Sequence, residues 1–297
     1  MSVSTSSRKD VALAERTVRE YARSGITTPP TEPAKKNSPQ QTGHLHAMER
    51  FVAIAPPLVL AVIVFISWYT STVFGHVSSL ILPKPGDVLA SLVDGFSSGL
   101  LLSNALVTIE ESVSGFLLAL AIALPLGYGL AKSRLFASAV QPYLSAGQAV
   151  PAIVIAPLLV IWIGYGLLPI TILCMLVVLF PMVITIAFGV QTIDQTLTDA
   201  ARVEGAHGWS LLLSIEFPLA LPAIIAAIRT GLTLSITGAV VGEFVISGGQ
   251  GLGSLVVQAG NQFNTALLFA TVIVLAILAA LYYSASWLLV KLAEAIY

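Results

Sequence analysis

An all-α, polytopic integral membrane protein with six transmembrane helices is the fold class this sequence predicts, on three observations. Hydrophobic residues make up 56% of the 297 residues and charged residues 10%, and the mean hydropathy is +0.90, far outside the range of soluble chains. No charge occurs between Arg134 and Asp194, a length that fits two spans of about 20 residues each and a turn. The formal net charge of -1 hides a segregation, because eight of the 14 Lys and Arg residues precede residue 51. No basic stripe suggests nucleic acid as a partner; the lipid bilayer is the expected surrounding. The single cysteine, Cys174, lies in an apolar run and excludes an internal disulfide framework.

Residues 1–50 are polar and too charged near the start for a secretory signal, so they read as a cytoplasmic tail. Val11, Ala14, Val18 and Tyr21 fall at helical spacing beside Arg16, Arg19 and Arg23, which suits either a surface helix on anionic lipid or a solvated tail. Residues 25–43, with Pro29, Pro30, Pro33 and Pro39, read as linker. His44 and His46 read as incidental rather than as metal ligands. Residues 51–297 form the membrane domain. Span one covers Phe51 to Tyr69, with Trp68 and Tyr69 as interface aromatics. Pro83 to Asp87 form a turn before a short amphipathic helix through Val88, Leu89, Leu92 and Val93. Span two runs from Ala105 to Ala131, span three from Pro142 to Ile163 and span four from Leu167 to Gly189. Gly164, Tyr165, Gly166 and Pro169 make the intervening turn. Span five covers Leu219 to Val245, a Gly-rich hairpin follows at Gly248 to Gly253, and span six covers Thr265 to Leu289.

This layout passes a charge test. The tail, Lys132, Arg134, Arg202 and Lys291 place twelve basic residues on one side, against Lys84 alone on the other and Arg229 within a span. Positive charge accumulates on cytoplasmic connections, so both termini and the loop 191–220 are expected inside the cell membrane.

That loop carries the most specific pattern in the chain. Asp199, Ala200 and Ala201 open a short helix, Gly205 interrupts it, and a second short helix with Leu211, Leu212, Leu213 and Ile215 is expected to end at Pro218, which lacks an amide donor. The result is a helix-turn-helix. An acidic residue, two alanines, three variable positions, glycine, nine variable positions and Ile-x-x-Pro resemble the cytoplasmic-loop motif of ATP-binding-cassette (ABC) importer permeases. Asp199 stands where that family usually has Glu, and Phe217 where it usually has Leu. The likeness continues in order through Leu82-Pro83-Lys84-Pro85, Gly115-Phe116, Val150-Pro151, Ala156-Pro157 and Trp162-x-Gly164, and it points to the nitrate, sulfonate, taurine and vitamin-precursor branch. Glu110 and Glu111 depart from a basic residue the family often carries there. Gly242-Glu243-Phe244 and Gly251-Leu252-Gly253 look more like permeases for riboflavin and thiamine pyrimidine precursors.

The resemblance implies a transport subunit without catalytic residues, cofactor or metal of its own. ATP and Mg2+ would be bound by two copies of a separate ATPase subunit. The chain has no G-x-x-x-x-G-K-[ST] loop; Gly127 to Ser133 comes nearest, but Ala131 replaces the second glycine. Asp199, Ala200, Ala201, Gly205, Ile215 and Pro218 would couple the loop to that ATPase, with the alanines allowing close approach and Ile215 and Pro218 anchoring the second helix. A second permease copy and an extracytoplasmic solute-binding protein are the other implied partners. Arg229 and Glu243 are the candidate pathway residues, since charge within a span is expensive; the alternatives are a snorkelling or paired Arg229 and a Glu243 that caps the hairpin. Gly231, Gly238, Ala239 and Gly242 read as helix-packing positions. An ion-coupled transporter predicts charges at mid-membrane and an internal repeat, and a membrane enzyme predicts clustered His, Asp or Glu; neither signal is in the sequence. The expected substrate is riboflavin or a related pyrimidine precursor, with a sulfonate, taurine or nitrate as the alternative.

Overall fold

In the computed structural model, which describes residues 42–75, 77–246 and 249–296, every regular element is helical. Contacts divide the chain into residues 1–65 and residues 66–297. Helix α1, Thr42–Val73, begins in the first of these and contains Pro56 and Pro57. It starts nine residues before the expected span one. The tail's expected surface helix, and the expected linker up to residue 41, lie outside the described residues.

In residues 66–297 the helices follow the apolar runs. Helix α2, Pro85–Ser97, is the expected amphipathic helix, with proline in its first turn where a missing amide costs nothing. The Trp68 indole donates to the Pro83 carbonyl at 3.0 Å and stacks on Phe269, so this aromatic pins the preceding turn. Helix α3 is Leu100–Lys132, α4 Arg134–Ala149, α5 Ala152–Ile163, α6 Leu167–Gln191 and α7 Gln195–Val203. Helix α8, Trp209–Leu211, passes through a π turn, Leu212–Glu216, into α9, Phe217–Ile246; α10, Leu252–Asn261, and α11, Thr265–Ile296, complete the chain.

Helix α6 is the centre. Half of its most apolar stretch is buried, against 22–33% for the other long helices. It lies between α3 and α9, where Phe116, Ala119, Val178, Met182, Ile186 and Ala227 form the main core. In lipid, helices associate by close packing rather than by escape from water, which favours small residues at the contacts. Gly115 of α3 and Gly238 of α9 both face Cys174, which is fully buried. The thiol donates to the Ser235 carbonyl at 3.2 Å, so the cysteine serves as a packed small residue. Gly231 faces Met182 and Gly242 faces Ile170, which bears out the packing role of the small residues in this helix.

Several expectations need correction. Four helices among the described residues are long and apolar enough to cross a membrane, or five if α4 and α5 together make one span. The expected continuous span three is instead that pair, bent by 97°. Pro151 removes an amide and forces Val150 out of the helical region, to φ -80° and ψ 119°, so the chain turns where the sequence reading ran straight. Pro218 does the opposite of what was expected. Phe217 donates to the Leu212 carbonyl across the π turn, and Pro218 falls in the first turn of α9, where an amide is dispensable. The second helix of the loop is therefore continuous with α9 rather than a separate element. Gly249 to Gly253 do not close a simple hairpin, because from Leu252 the chain forms α10.

Candidate functional site

Helix α7 begins at Gln195, four residues before Asp199, because the Asp194 carboxylate accepts the Thr196 amide at 2.9 Å and caps it. That hydrogen bond holds the Asp194 carboxyl below the usual aspartate range. Asp199 and Arg202 form an exposed ion pair at 2.9 Å. Ala201 turns inward and is buried, whereas Ala200, about 100° further round the helix, is exposed. Helix α7 ends at Val203, and Gly205, two residues on, has a φ of +96°, a left-handed conformation that only glycine adopts without strain. On both sides of this turn the loop presents large exposed apolar side chains: Leu197 and Val203 on α7, and Trp209 and Leu213 after the turn. Ile215 and Pro218 are half-buried on the helix that leads into α9.

Lys132, Arg134 and Arg202 come to the same end of the molecule. With Gln191, Thr198 and Asp199 they line a cavity of about 560 Å³. The structure thus groups the basic residues that the charge test put on one side. Beside it is an apolar cavity of about 520 Å³, walled by Leu124 and Pro125 of α3, Ile186 and Val190 of α6, and Trp209 and Leu212 of the loop. At its edge lies a group the sequence reading missed. Glu216, in the π turn, is buried; its Oε1 accepts from Lys132 Nζ at 2.5 Å and its Oε2 from Tyr128 Oη at 2.8 Å. The available signal was a lone Glu between Ile215 and Phe217 at the edge of an apolar run.

Arg229 and Glu243 lie fourteen residues apart on α9, about 21 Å along a helix, so they do not share a site. Arg229 is half-buried, donates to Tyr283 Oη at 3.2 Å and sits over that ring. Glu243 is fully buried near the other end of α9. It accepts from Thr108 Oγ1 at 2.6 Å and from the Gly253 amide. Gly251 donates to Asn104 Oδ1 at 2.8 Å and Leu252 to Thr108 Oγ1 at 2.9 Å. Three consecutive amides that begin α10 are thereby satisfied by side chains of α3 and α9. Glu243 does cap the connection after span five, through a helix rather than a hairpin. Glu111 lies against Glu243, and its Oε2 has no hydrogen-bond partner among the described residues. Asn104, Thr108 and Glu111, spaced four and three residues apart, form a polar stripe along an apolar helix, a signal that sequence reading passed over.

These features define a multi-pass helical membrane protein. The fold is shared with a chain of the inward-facing MetNI methionine ABC transporter, at a TM-score of 0.57 and 23% identity, over 64% of this chain and 95% of that one. Residues 115–295 match the family described as binding-protein-dependent transport system inner membrane component, and the chain belongs to that family. Among curated relatives, the riboflavin transport system permease protein RibX of Chloroflexus aurantiacus is 37% identical over 88% of this chain and 96% of its own length. A probable ABC transporter permease of Haemophilus influenzae is 32% identical over 80% and 96%, and the carnitine transport permease OpuCD of Listeria monocytogenes 31% over 66% and 88%. The chain is accordingly an ABC importer permease subunit of the inner membrane.

Proposed function

We propose that this permease imports riboflavin or a closely related vitamin precursor, driven by ATP hydrolysis in a separate subunit. The observation that carries the substrate reading is its 37% identity, over nearly the full length of both chains, to a protein named as a riboflavin permease. Residues 191–220 form the coupling element. The exposed apolar Leu197, Val203, Trp209 and Leu213, with Ala200 beside them, give it a face suited to a groove on an ATPase subunit. Gly205 sets the turn between its halves. Two such subunits would bind ATP and Mg2+, and an extracytoplasmic binding protein would deliver the substrate.

Two copies of the chain, each with both termini in the cytoplasm, would enclose the path, since one copy encloses little. Of the two pathway candidates, Arg229 retains partial exposure and is kept for that role, while Glu243 is assigned to holding α10. Closure of the ATPase dimer would tilt the docked helices and switch the access of the path.

The test is uptake of labelled riboflavin, a thiamine pyrimidine precursor and taurine into cells expressing the chain with its neighbouring ATPase and binding-protein genes, with and without the chain. Riboflavin uptake that depends on the chain supports the reading. Taurine uptake alone would replace the substrate with a small sulfonate.

A further inference from the structure

We propose that Glu216 is a positioning residue that locks the end of α3 to the coupling loop, so that α3 moves with the loop when the ATPase subunits close. This rests on the reading of residues 191–220 as the coupling element.

The geometry is a fork. Tyr128 and Lys132 are four residues apart, hence one above the other on one face of α3, and each takes a different oxygen of the same carboxylate. Two attachment points one turn apart resist both sliding and rotation of the loop against α3, which a single bond would not. Apolar packing joins α3 to Val190, Ala220 and Ile224 through Leu124, Tyr128 and Ala131, and Glu216 adds the polar attachment. The cavity of about 520 Å³ separates Leu124 and Pro125 of α3 from Trp209 and Leu212 of the loop, and the Glu216 side chain reaches across at its edge. Burial of Glu216 strengthens the attachment, because charge attraction grows as water is excluded, although Lys132 stays partly exposed and its share is screened.

The backbone supports the same role. A π turn carries one more residue than an α turn, and such insertions recur at functional sites. Here the turn coincides with the residue that makes the cross-link, and it joins the loop to α9 without a break. Motion of the loop is thus passed to α9 through the backbone and to α3 through Glu216. Helix α4 follows α3 directly through Ser133 and moves with its end, whereas α5, beyond the bend at Pro151, receives neither connection.

The experiment uses the full chain assembled with its ATPase subunit in lipid nanodiscs, in a Cys174→Ala background. Spin labels are placed at Val203→Cys on α7 and Leu135→Cys at the start of α4, positions 89% and 84% exposed. Pulsed electron resonance then reads their separation without nucleotide and after trapping with ATP and vanadate. With Glu216 present, one narrow separation common to both states is expected. Glu216→Ala should broaden it in the trapped state and lower ATP hydrolysis stimulated by the binding protein about tenfold, within the range by which mutations along a coupling network act. Tyr128→Phe, which removes one bond and almost no volume, should broaden it less. The exchange Lys132→Glu with Glu216→Lys should restore the narrow separation, which a loss of fold would not allow. An unchanged narrow separation in an assembled Glu216→Ala complex would overturn the proposal. If the Val203 label is insensitive to the ATPase subunit even with Glu216 in place, the coupling reading itself falls, and the proposal with it.

Discussion

Cys174 is clamped between two glycines, and the two contacts differ in a way that mutation can separate. Gly115→Ala would place a methyl 2.5 Å from Cys174 Sγ, 2.6 Å from its Cβ and 3.0 Å from the Thr171 carbonyl oxygen. Gly238→Ala would place one 2.9 Å from the Cys174 Cα and 3.3 Å from both its carbonyl oxygen and its Sγ, so only the loosest of these contacts belongs to the side chain. Overpacking a filled core costs about 1–3 kcal/mol, and contacts this short belong at the upper end. Replacing glycine by alanine within a helix returns about 1 kcal/mol of propensity, so Gly115→Ala should cost about 2 kcal/mol net. Cys174→Gly deletes both atoms that the Gly115 methyl strikes most closely, but not the backbone that the Gly238 methyl strikes. A double-mutant cycle should therefore give about 2 kcal/mol of favourable interaction between Gly115→Ala and Cys174→Gly. The corresponding interaction with Gly238→Ala should stay within about 0.5 kcal/mol of zero. The assay is the fraction of purified full-length chain that remains monodisperse on size exclusion after heating. At about 2–4 °C per kcal/mol for a domain of this size, Gly115→Ala should lower the midpoint by roughly 4–8 °C in the wild-type background and far less in the Cys174→Gly background. Equal rescue of Gly238→Ala by Cys174→Gly would refute the packing argument.

Glu243→Ala should leave the Gly253 amide buried without an acceptor, at a cost of about 1–3 kcal/mol, and hydrogen exchange should show α10 losing protection before α6 does. Asp194 has a depressed folded-state pKa, so its capping contribution is present above the unfolded aspartate pKa and is lost as pH falls through the lower folded value. Exchange at the Thr196 to Thr198 amides should accordingly accelerate in that acid window, and an Asp194→Asn chain should show no such step. Gly205→Pro cannot adopt a φ of +96°, and Val203→Asp places charge on the exposed apolar face. Both should abolish uptake while the amount of chain in the membrane stays unchanged, and normal uptake in both would remove the coupling role from the loop.

Membrane insertion, helical class and the order of the apolar helices were legible in the sequence because each depends on local composition. Twenty apolar residues have few alternatives in lipid, where every backbone group must bond within its own segment. The loop pattern was legible for a similar reason: Gly205 sits where the backbone requires a left-handed residue. Proline shows the limit. Pro151 and Pro218 look alike in sequence, yet one bends the chain by 97° and the other sits inside a continuous helix. The difference lies in the turn before each, since the π turn at Leu212–Glu216 leaves Pro218 where no amide is needed.

The sequence by itself therefore determined the environment, the run of helices and the family of this chain. Tertiary structure alone decided what its buried polar groups do. Glu216 meets Tyr128 and Lys132, more than 80 positions away in the chain, and Glu243 meets Thr108 and the start of α10. A carboxylate away from water is stabilised only by donors brought to it, and which donors arrive is fixed by how α3, α6 and α9 pack, not by the residues beside it.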